Sequence, residues 1–357
     1  MNPQEFLYAY LNANSPTGFE SEGQKIWLNY LKTSFDDCII DNYGSVAGII
    51  NPNTDYKVVI EAHADEISWF VNYINDDGYI YVIRNGGSDA MIAPSMRVVL
   101  HTKKEKLRGV FGWPAIHVRS GEKNDPKPEL DNIFIDVGAK SKAEVLEMGI
   151  HVGTVVTFEA DLFELNNRYY VGRALDNRMG GYIIAQVVKR LKENKIELPY
   201  TLYVVNSVQE EVGLYGARMM ADTIKPHVAL CTDVCHDTFS PLGYNKIKEG
   251  ATKAGEGPVL SYAPSMQNNL RDMLIDVAEK NKIQFQRDAR SRMSGTDTDA
   301  FAYSNGGVVS ALISLPLKYM HTTVETAHKD DVEDCIKLMY EFLIQLPKNH
   351  DFRYFKF

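Results

Sequence analysis

The sequence predicts an α/β fold, in which a mixed, partly parallel sheet is flanked by helices and carries a small inserted β-barrel. Two patterns support this prediction. In the first and last parts of the chain, apolar runs typical of strands alternate with apolar stripes at helical spacing, which indicates a partly parallel sheet with helices on both faces. In the middle, short β-rich runs are separated by glycines, as in a small barrel or sandwich.

The first predicted helix covers about residues 20 to 33. Thr17 and Glu20 have the spacing of a capping box, and apolar residues follow at helical intervals. Strand-like runs come next, at residues 38–41, 46–50 and 58–60. The last run leads directly into Glu61-Ala62-His63-Ala64-Asp65-Glu66, so a polar cluster follows an apolar strand.

The segment of about residues 75 to 165 is interpreted as a separate domain, inserted into a larger domain formed by residues 1–74 and 166–357. Its strand-like runs lie at residues 79–83, 96–100 and 155–158, and a short helix is predicted from Lys142 to Met148. The alternative interpretation is one continuous mixed sheet.

The α/β pattern returns after residue 170, where an apolar stripe from Met179 to Leu191 predicts a long helix. The remaining predicted elements are a strand at 202–207, a helix from Gly213, a strand at 228–231 that ends near Asp233, a helix at 270–280, a strand at 308–313 that leads towards His321, and a last helix over 332–346.

Composition restricts the class of protein. Of the 357 residues, 45% are apolar and 24% are charged, which is ordinary for a globular protein with one large and one smaller domain. The net charge of -9 argues against a nucleic-acid partner. No apolar run approaches the roughly 20 residues of a membrane span, and the first residues do not resemble a signal peptide. Four scattered cysteines fit a reduced, cytoplasmic protein.

Two adjacent carboxylates, Glu210 and Glu211, come directly after the apolar run at 202–207 and shortly before Gly213. In an α/β sheet, ligands bind at the carboxyl ends of strands. Two like charges at such a position are costly unless a cation lies beside them. The pair therefore suggests a metal site.

Other predicted strand ends carry further ligand types: His63 with Asp65, Asp233 and, after a loop, His321, while Asp176 opens a predicted helix. Imidazoles together with carboxylates suit zinc, cobalt or manganese rather than a thiolate site. Each residue alone also has an ordinary explanation, such as a helix N-cap for the aspartate. Spacing alone does not decide between these explanations, because the residues are far apart in the chain.

Six motifs resemble, in order, those of the tetrahedral (TET) aminopeptidases, dinuclear-zinc exopeptidases that include glutamyl and leucyl aminopeptidases. The motifs are His63-Ala64-Asp65-Glu66, Ala174-Leu175-Asp176-Asn177-Arg178, Val208-Gln209-Glu210-Glu211-Val212-Gly213, Asp233-Val234, Gly295-Thr296-Asp297 and Tyr319-Met320-His321. The resemblance spans essentially the whole chain, including the insert. It implies a fold of the zinc-exopeptidase type and two divalent metal ions, zinc in the first place, with cobalt or manganese as alternatives.

The resemblance implies a ligand role for five residues. Asp176 would bridge the two metal ions. His63 and Asp233 would complete opposite metal sites, and Glu211 and His321 would supply the remaining ligands.

The resemblance implies other roles beside the ligands. Glu210 would be the general base and would not bind metal directly. Asp65 would form a hydrogen bond with His63 and fix its tautomer. The peptide bond between Asp176 and Asn177 would be cis.

The implied activity is a metal-dependent aminopeptidase that removes N-terminal residues from short peptides, through a water activated by two metal ions. Carboxylates around the site would favour the cationic N-terminus of a substrate. A related metal-dependent amidohydrolase, an N-acyl amino acid deacylase or a carboxypeptidase, is the main alternative, and a non-catalytic binding protein is another. Some relatives are labelled endoglucanases, but adjacent glutamates do not have the separation that a glycosidase pair needs.

The resemblance also implies a homo-oligomer, in which the inserted domain forms dimers that assemble into a hollow dodecamer. Residues 111–114 and the polar loop 119–129 are candidate contact segments, or else a loop that caps the same subunit. The chain departs from the family pattern at Asn177, where many relatives have Asp, at Cys235, where Thr is common, and at Lys318, where Arg is common. Arg290 and Arg292 are expected near the pocket, without assigned roles.

Overall fold

The computed structural model describes residues 1–119 and 126–355. The helices are α1 Pro3–Asn12, α2 Ser21–Leu31, α3 Ile116–Arg119, α4 Lys142–Glu147, α5 Leu175–Glu193, α6 Tyr215–Ile224, α7 Lys246–Glu249, α8 Asn268–Lys280, α9 Asp297–Ala302 and α10 Lys329–Gln345. The strands are β1 Asp37–Ile40, β2 Val46–Ile50, β3 Lys57–His63, β4 Ser68–Ile74, β5 Ile80–Asn85, β6 Arg97–His101, β7 Lys106–Gly112, β8 Phe134–Asp136, β9 Val155–Phe158, β10 Phe163–Leu165, β11 Tyr169–Gly172, β12 Thr201–Ser207, β13 Val228–His236, β14 Val259–Tyr262, β15 Gln286–Ala289, β16 Val309–Lys318 and β17 Glu325–His328.

The main sheet has eleven strands in the order β1-β2-β12-β3-β13-β16-β17-β11-β10, with β14 pairing with β16 and β15 pairing with β14. Its central strands β12, β3, β13 and β16 are parallel to one another, whereas its outer pairs are mostly antiparallel. The register places Ser207 opposite His63. The mixed, partly parallel sheet is therefore confirmed, and the carboxyl ends of its parallel strands meet at one edge.

Helices cover both faces of this sheet. Successive residues of a strand point to opposite faces, and β3 illustrates the result, because Val58 and Ile60 belong to one apolar core and Val59 to the other. The first core includes residues of α1, α2, α5, α8 and α10. The second is smaller and includes residues of α6 and α9. Both cores hold the strand ends rigidly in place, which is what a site at the sheet edge requires.

The insert is a closed six-stranded barrel in the order β4-β5-β8-β7-β6-β9. It has its own apolar core, which includes Trp69, Phe111, Ile135 and Val156. Strand β4 pairs within the barrel although it precedes the predicted insert, and β10 lies in the main sheet although it falls inside the predicted insert. Only four residues, none of them Gly or Pro, separate β3 from β4, so the chain passes between the two units without a recognisable linker.

Two local expectations need correction. The predicted capping box is wrong, because Glu20 is the N-cap of α2 without a side-chain capping bond, and the Thr17 hydroxyl donates to Asp65 Oδ2 instead (2.9 Å). The 111–114 stretch is not wholly exposed, since Phe111 is buried in the barrel. In the candidate loop 119–129, residues 120–125 lie outside the described residues. Among the described residues, no helix has the length and apolarity to cross a membrane.

Candidate metal centre

The predicted site residues lie together where the parallel strands end. His63 is the last residue of β3, Asp233 lies near the end of β13, and Asp176 lies in the first turn of α5. Glu210 and Glu211 occupy the loop between β12 and α6. The side chains border an open cleft of about 550 Å³, whose lining includes Asp176, Glu210, Glu211, Asp233 and His321.

Asp176 lies between the two imidazoles. His63 Nε2 is 3.2 Å from Asp176 Oδ1 and 3.8 Å from Asp233 Oδ1. His321 Nε2 is 3.2 Å from the other oxygen, Asp176 Oδ2, and 3.5 Å from Glu211 Oε1. The two oxygens of the Asp176 carboxylate therefore face two different imidazoles, which is the arrangement that a ligand shared by two cations needs.

The pairing of residues around Asp176 differs from the expectation in one respect. His63 and Asp233 were expected at opposite sites, yet both lie near the Oδ1 side of Asp176. The reason is the sheet order, because β3 and β13 are neighbouring parallel strands. His321 and Glu211 lie on the Oδ2 side.

The donor atoms are close enough to hold cations. In the described part of the chain, two groups of three side chains bring their ligand atoms within 4.8 Å of one another: His63 with Asp176 and Glu211, and His63 with Glu210 and Asp233. Imidazole nitrogens and carboxylate oxygens are donors that zinc, cobalt and manganese accept. The residues present thus fit a divalent metal ion.

The electrostatics of the cluster show a surplus of negative charge. Burial raises the pKa of Glu210 and of Glu211 well above the usual range, and neighbouring carboxylates add to the effect. Burial likewise raises the pKa of Asp233 to about 8. Burial opposes ionisation of Asp176 too, but hydrogen bonds from the two imidazoles outweigh it and lower the pKa of this carboxyl.

The pKa values of the two imidazoles are also raised. Burial alone would lower the pKa of His63, but the carboxylate of Glu210 and hydrogen bonds with Asp176 and Asp65 raise it well above the usual range. The pKa of His321 is raised to about 9, because Asp176 and Glu211 outweigh its burial. Four carboxylates compete for two imidazoles, and bound cations would relieve that competition.

Asp65 supports the site from behind. Its Oδ1 lies 3.3 Å from His63 Nδ1, the contact expected of a residue that fixes the tautomer of a ligand. Asp65 also accepts the backbone N–H of Glu210 (3.0 Å) and of Glu211 (3.2 Å). These two backbone bonds were not anticipated from the sequence.

Glu325 is a supporting residue that the sequence reasoning missed. Its Oε2 accepts the backbone N–H of Asp176 (3.1 Å), and its Oε1 accepts that of His321 (2.6 Å). The side chain is buried in the described structure. Glu325 is an isolated glutamate at the start of β17, so no local motif marks it.

A second missed group lies behind His63. The Ser207 hydroxyl lies 2.6 Å from Glu61 Oε1 and 2.7 Å from Asp297 Oδ2. Burial and the nearby Asp297 raise the pKa of Glu61 well above the usual range. Asp297 belongs to a motif that carried the family resemblance and Glu61 does not, and nothing in the sequence linked them to each other.

The structure shows the surroundings of two residues that depart from the family pattern, Asn177 and Lys318. The peptide bond between Asp176 and Asn177 is cis, as the resemblance implied. The Asn177 amide donates from Nδ2 to the carbonyl oxygen of Thr232 (2.7 Å), a bond that an ionised aspartate could not donate. Lys318 Nζ lies 4.9 Å from the centre of the Tyr169 ring, a cation–π contact.

Two further expectations concern the wall of the cleft. Arg290 and Cys235 lie in that wall, and the Arg290 Nε also donates to Asp288 (3.2 Å). Arg292 is not among the residues described as lining the cleft.

Comparison with known proteins identifies relatives over almost the entire chain. The lysyl aminopeptidase of Pyrococcus furiosus is 33% identical over 346 residues, which cover 96% of this chain and 97% of that protein. A TET aminopeptidase from a marine sediment Thaumarchaeota archaeon superposes with a TM-score of 0.91 at 30% identity, over 97% of each chain. The TET1 peptidase of Pyrococcus horikoshii, which can assemble into a tetrahedron or a large octahedral shell, has a TM-score of 0.84 at 28% identity, over 97% of this chain and 100% of that one.

The family model for M42 glutamyl aminopeptidases matches residues 44–338, which include every candidate ligand described above. The chain therefore belongs to the M42 glutamyl aminopeptidase family and is a peptidase.

Proposed function

We propose that this protein is a metal-dependent aminopeptidase that removes N-terminal residues from short peptides. The observation that carries the proposal is the surplus of buried carboxylates around two imidazoles, in an open cleft at the end of the parallel strands. Membership of an aminopeptidase family supports the reaction class. The proposal also includes the metal ions and the roles of individual residues.

Two divalent metal ions would be held on the two sides of Asp176. His63 and Asp233 would complete one site, and Glu211 and His321 the other, as the distances to the two oxygens of Asp176 support. Zinc is the proposed metal, with cobalt or manganese as alternatives that the same donors accept. When bound, such a pair of ions lowers the pKa of a water and polarises a peptide carbonyl.

Glu210 would move the proton. Its Oε2 lies 3.8 Å from His63 Nε2, beside the proposed ligands, while its backbone N–H is held by Asp65. From this position Glu210 can take a proton from the attacking water and pass it to the leaving amine.

The preference for a free N-terminus follows from charge. The cleft wall includes Asp176, Glu210, Glu211 and Asp233, and such a wall attracts the cationic α-amine of a peptide. A carboxypeptidase or an N-acyl amino acid deacylase would instead have to place an anionic or neutral group against the same wall. Membership of the M42 glutamyl aminopeptidase family also favours the aminopeptidase over these amidohydrolases.

Chelation and substrate blocking test this proposal together. We expect the protein to hydrolyse aminoacyl chromogenic amides and to lose most of that activity after exhaustive chelation, with recovery when zinc, cobalt or manganese is added back. N-blocked versions of the same amides are the matched control and should be hydrolysed much more slowly, because they lack the cationic amine. Hydrolysis of blocked substrates alone would contradict the aminopeptidase assignment, and full activity after chelation would contradict the metal mechanism.

Glu325→Gln offers a test of the metal site on the His321 side. The two carboxylate oxygens of Glu325 accept the N–H groups of Asp176 and His321, one each. Glutamine has only one acceptor oxygen, so one N–H must then face an amide NH₂. We expect a loss of metal affinity of about 10- to 100-fold, the range typical of residues that orient ligands, measured by competition with a chelator.

Glu256→Gln, at a partly exposed position where the carboxylate pairs with Lys253 (3.0 Å) and not with the site, serves as the control for the Glu325 experiment and should leave metal affinity unchanged. Unchanged affinity in Glu325→Gln would mean that its two backbone bonds do not hold the ligands.

Assembly and location complete the proposal. The P. horikoshii relative can form a tetrahedron, which supports the proposal that this protein is a homo-oligomer. The more specific proposal is that dimers of this chain assemble into a dodecamer. Contacts through the inserted domain, residues 75–165, are supported by exposed apolar side chains on the barrel, including Ile83 and Val110. The four cysteines are free, which fits the cytoplasmic location predicted from the sequence.

A further inference from the structure

Three consecutive backbone N–H groups in the loop after β12 are held by carboxylates from elsewhere in the fold. The N–H of Gln209 donates to Glu20 Oε1 (3.3 Å), and the N–H groups of Glu210 and Glu211 donate to the two oxygens of Asp65. Buried N–H groups that leave a strand need such partners. Two of the three bonds belong to Asp65, and the first depends on Glu20.

The Glu20 side chain is buried, and it contacts the loop after β12 instead of capping its own helix. Its side chain is only 2% exposed, although Glu20 is the N-cap of α2, and it forms no side-chain capping bond there. The same oxygen that accepts the N–H of Gln209 also accepts the N–H of Gly18 (2.7 Å). The carboxyl group therefore ties the turn before α2 to the loop that carries Glu210.

The turn before α2 is itself anchored to the site. Thr17, three residues before Glu20, donates its hydroxyl to Asp65 Oδ2 (2.9 Å). Gly18 has a φ of 82°, a left-handed conformation that glycine adopts readily. The short segment from Thr17 to Glu20 is therefore linked to both carboxylates that hold the loop. The Thr17 hydroxyl donates to Asp65, and Glu20 itself provides the second carboxylate.

Glu20 contacts Gln209, the residue directly before Glu210. The backbone conformation of Gln209 determines where the Glu210 side chain points. Gln209 has a φ of 59°, which non-glycine residues adopt only when the surroundings hold them there. The peptide between Gln209 and Glu210 follows this residue directly. A rotation at Gln209 would displace the backbone of Glu210 and so move its carboxylate relative to His63 and Asp233, against the bonds that Asp65 accepts from the next two N–H groups.

We propose that Glu20 is a positioning residue for Glu210: its hydrogen bond to the Gln209 N–H keeps the preceding residue left-handed and the base directed at the metal centre. This inference rests on the proposed function, since it takes Glu210 as the base. It involves no direct contact between Glu20 and the substrate or the metal ions. It concerns the rate of the reaction and leaves metal binding to the ligands.

The contact needs an acceptor oxygen and does not need a charge. One oxygen of Glu20 accepts both N–H groups, and the amide oxygen of glutamine could do the same. Burial, with the nearby Asp65 as a smaller cause, raises the pKa of Glu20 to about 8, so the wild-type side chain is itself largely neutral near pH 7. Glu20→Gln should therefore preserve the positioning, whereas Glu20→Ala should abolish it.

The experiment compares Glu20→Ala and Glu20→Gln with the wild type in the metal-loaded full chain. For Glu20→Ala we expect kcat to fall about 10- to 100-fold, since displacement of a catalytic group by about 1 Å can cost 10²-fold. KM for an aminoacyl chromogenic amide and the number of metal ions bound per chain should stay near the wild-type values. Glu20→Gln should keep kcat within about threefold.

Glu22→Ala is the matched control. Glu22 lies on the same turn of α2 but pairs with Lys106 at the surface (2.6 Å) and not with the loop, so its loss should change neither kcat nor KM. If Glu20→Ala does not fold, Glu20→Asp replaces it, because the shorter side chain keeps a carboxyl group but should not reach Gln209, and it should show the same loss of kcat.

Three outcomes would overturn the inference: an unchanged kcat in Glu20→Ala, an equal loss in Glu20→Gln, or a loss that follows the metal content instead of kcat. Failure of the proposed function is distinguishable from these outcomes. The wild type would then not hydrolyse free-amine substrates, or a variant that lacks Glu210 would keep full turnover.

Discussion

Glu210→Gln is expected to lower kcat by about 10²- to 10⁴-fold, the contribution typical of a general acid–base group. Glutamine has nearly the same shape as glutamate but cannot accept a proton at neutral pH. Since Glu210 is not one of the proposed ligands, the variant should bind two metal ions per chain, like the wild type. Steady-state kinetics and metal analysis of the same preparation would measure both quantities.

The adjacent residue supplies the control. Glu211 lies 3.5 Å from His321 Nε2 and is a proposed ligand, so Glu211→Gln should lose turnover and metal together. The comparison is informative because Glu210 also belongs to one of the two groups that could hold a cation. If Glu210→Gln loses a metal ion, Glu210 is a ligand, and if it keeps its turnover, Glu210 is not the base.

Sequence patterns were sufficient for the strands that lead to the candidate site, but not for α1, β10, β14 and β15. The apolar runs that lead to His63, Glu210 and Asp233 form the ends of β3, β12 and β13, and parallel neighbours necessarily end at one edge of the sheet. The prediction of a metal site followed from ligand types at those ends. Its weak point was the pairing of ligands, because sequence does not state which strands are neighbours or where their side chains point.

The residues that support the site could not be predicted, for a physical reason. Thr17 and Glu20 have the local signature of a capping box, but both side chains form long-range bonds instead, to Asp65 and to the Gln209 N–H. Glu325 serves two backbone groups that lie far from it in the chain or across a turn. Such bonds depend on which residues are neighbours in the folded structure, and the local sequence does not indicate these neighbours.

Asp176 should have the largest effect on metal content. Its two oxygens face different imidazoles, at 3.2 Å each, so both proposed metal ions depend on this one carboxylate. Asp176→Asn leaves a single acceptor oxygen and presents an NH₂ group to the other side. We therefore expect the variant to bind at most one metal ion per chain and to show no measurable turnover, as determined by metal analysis and by hydrolysis of aminoacyl amides.

Asp233→Asn is the informative comparison for Asp176→Asn, because Asp233 lies near His63 but is not in contact with His321 in the described structure. Its loss should weaken only the ion on the His63 side, whereas the site formed by Asp176, Glu211 and His321 should keep its ion. An Asp176→Asn variant that still binds two ions would show that Asp176 is not shared. The ligands would then have to be divided around His63, the one residue that belongs to both groups of potential donors.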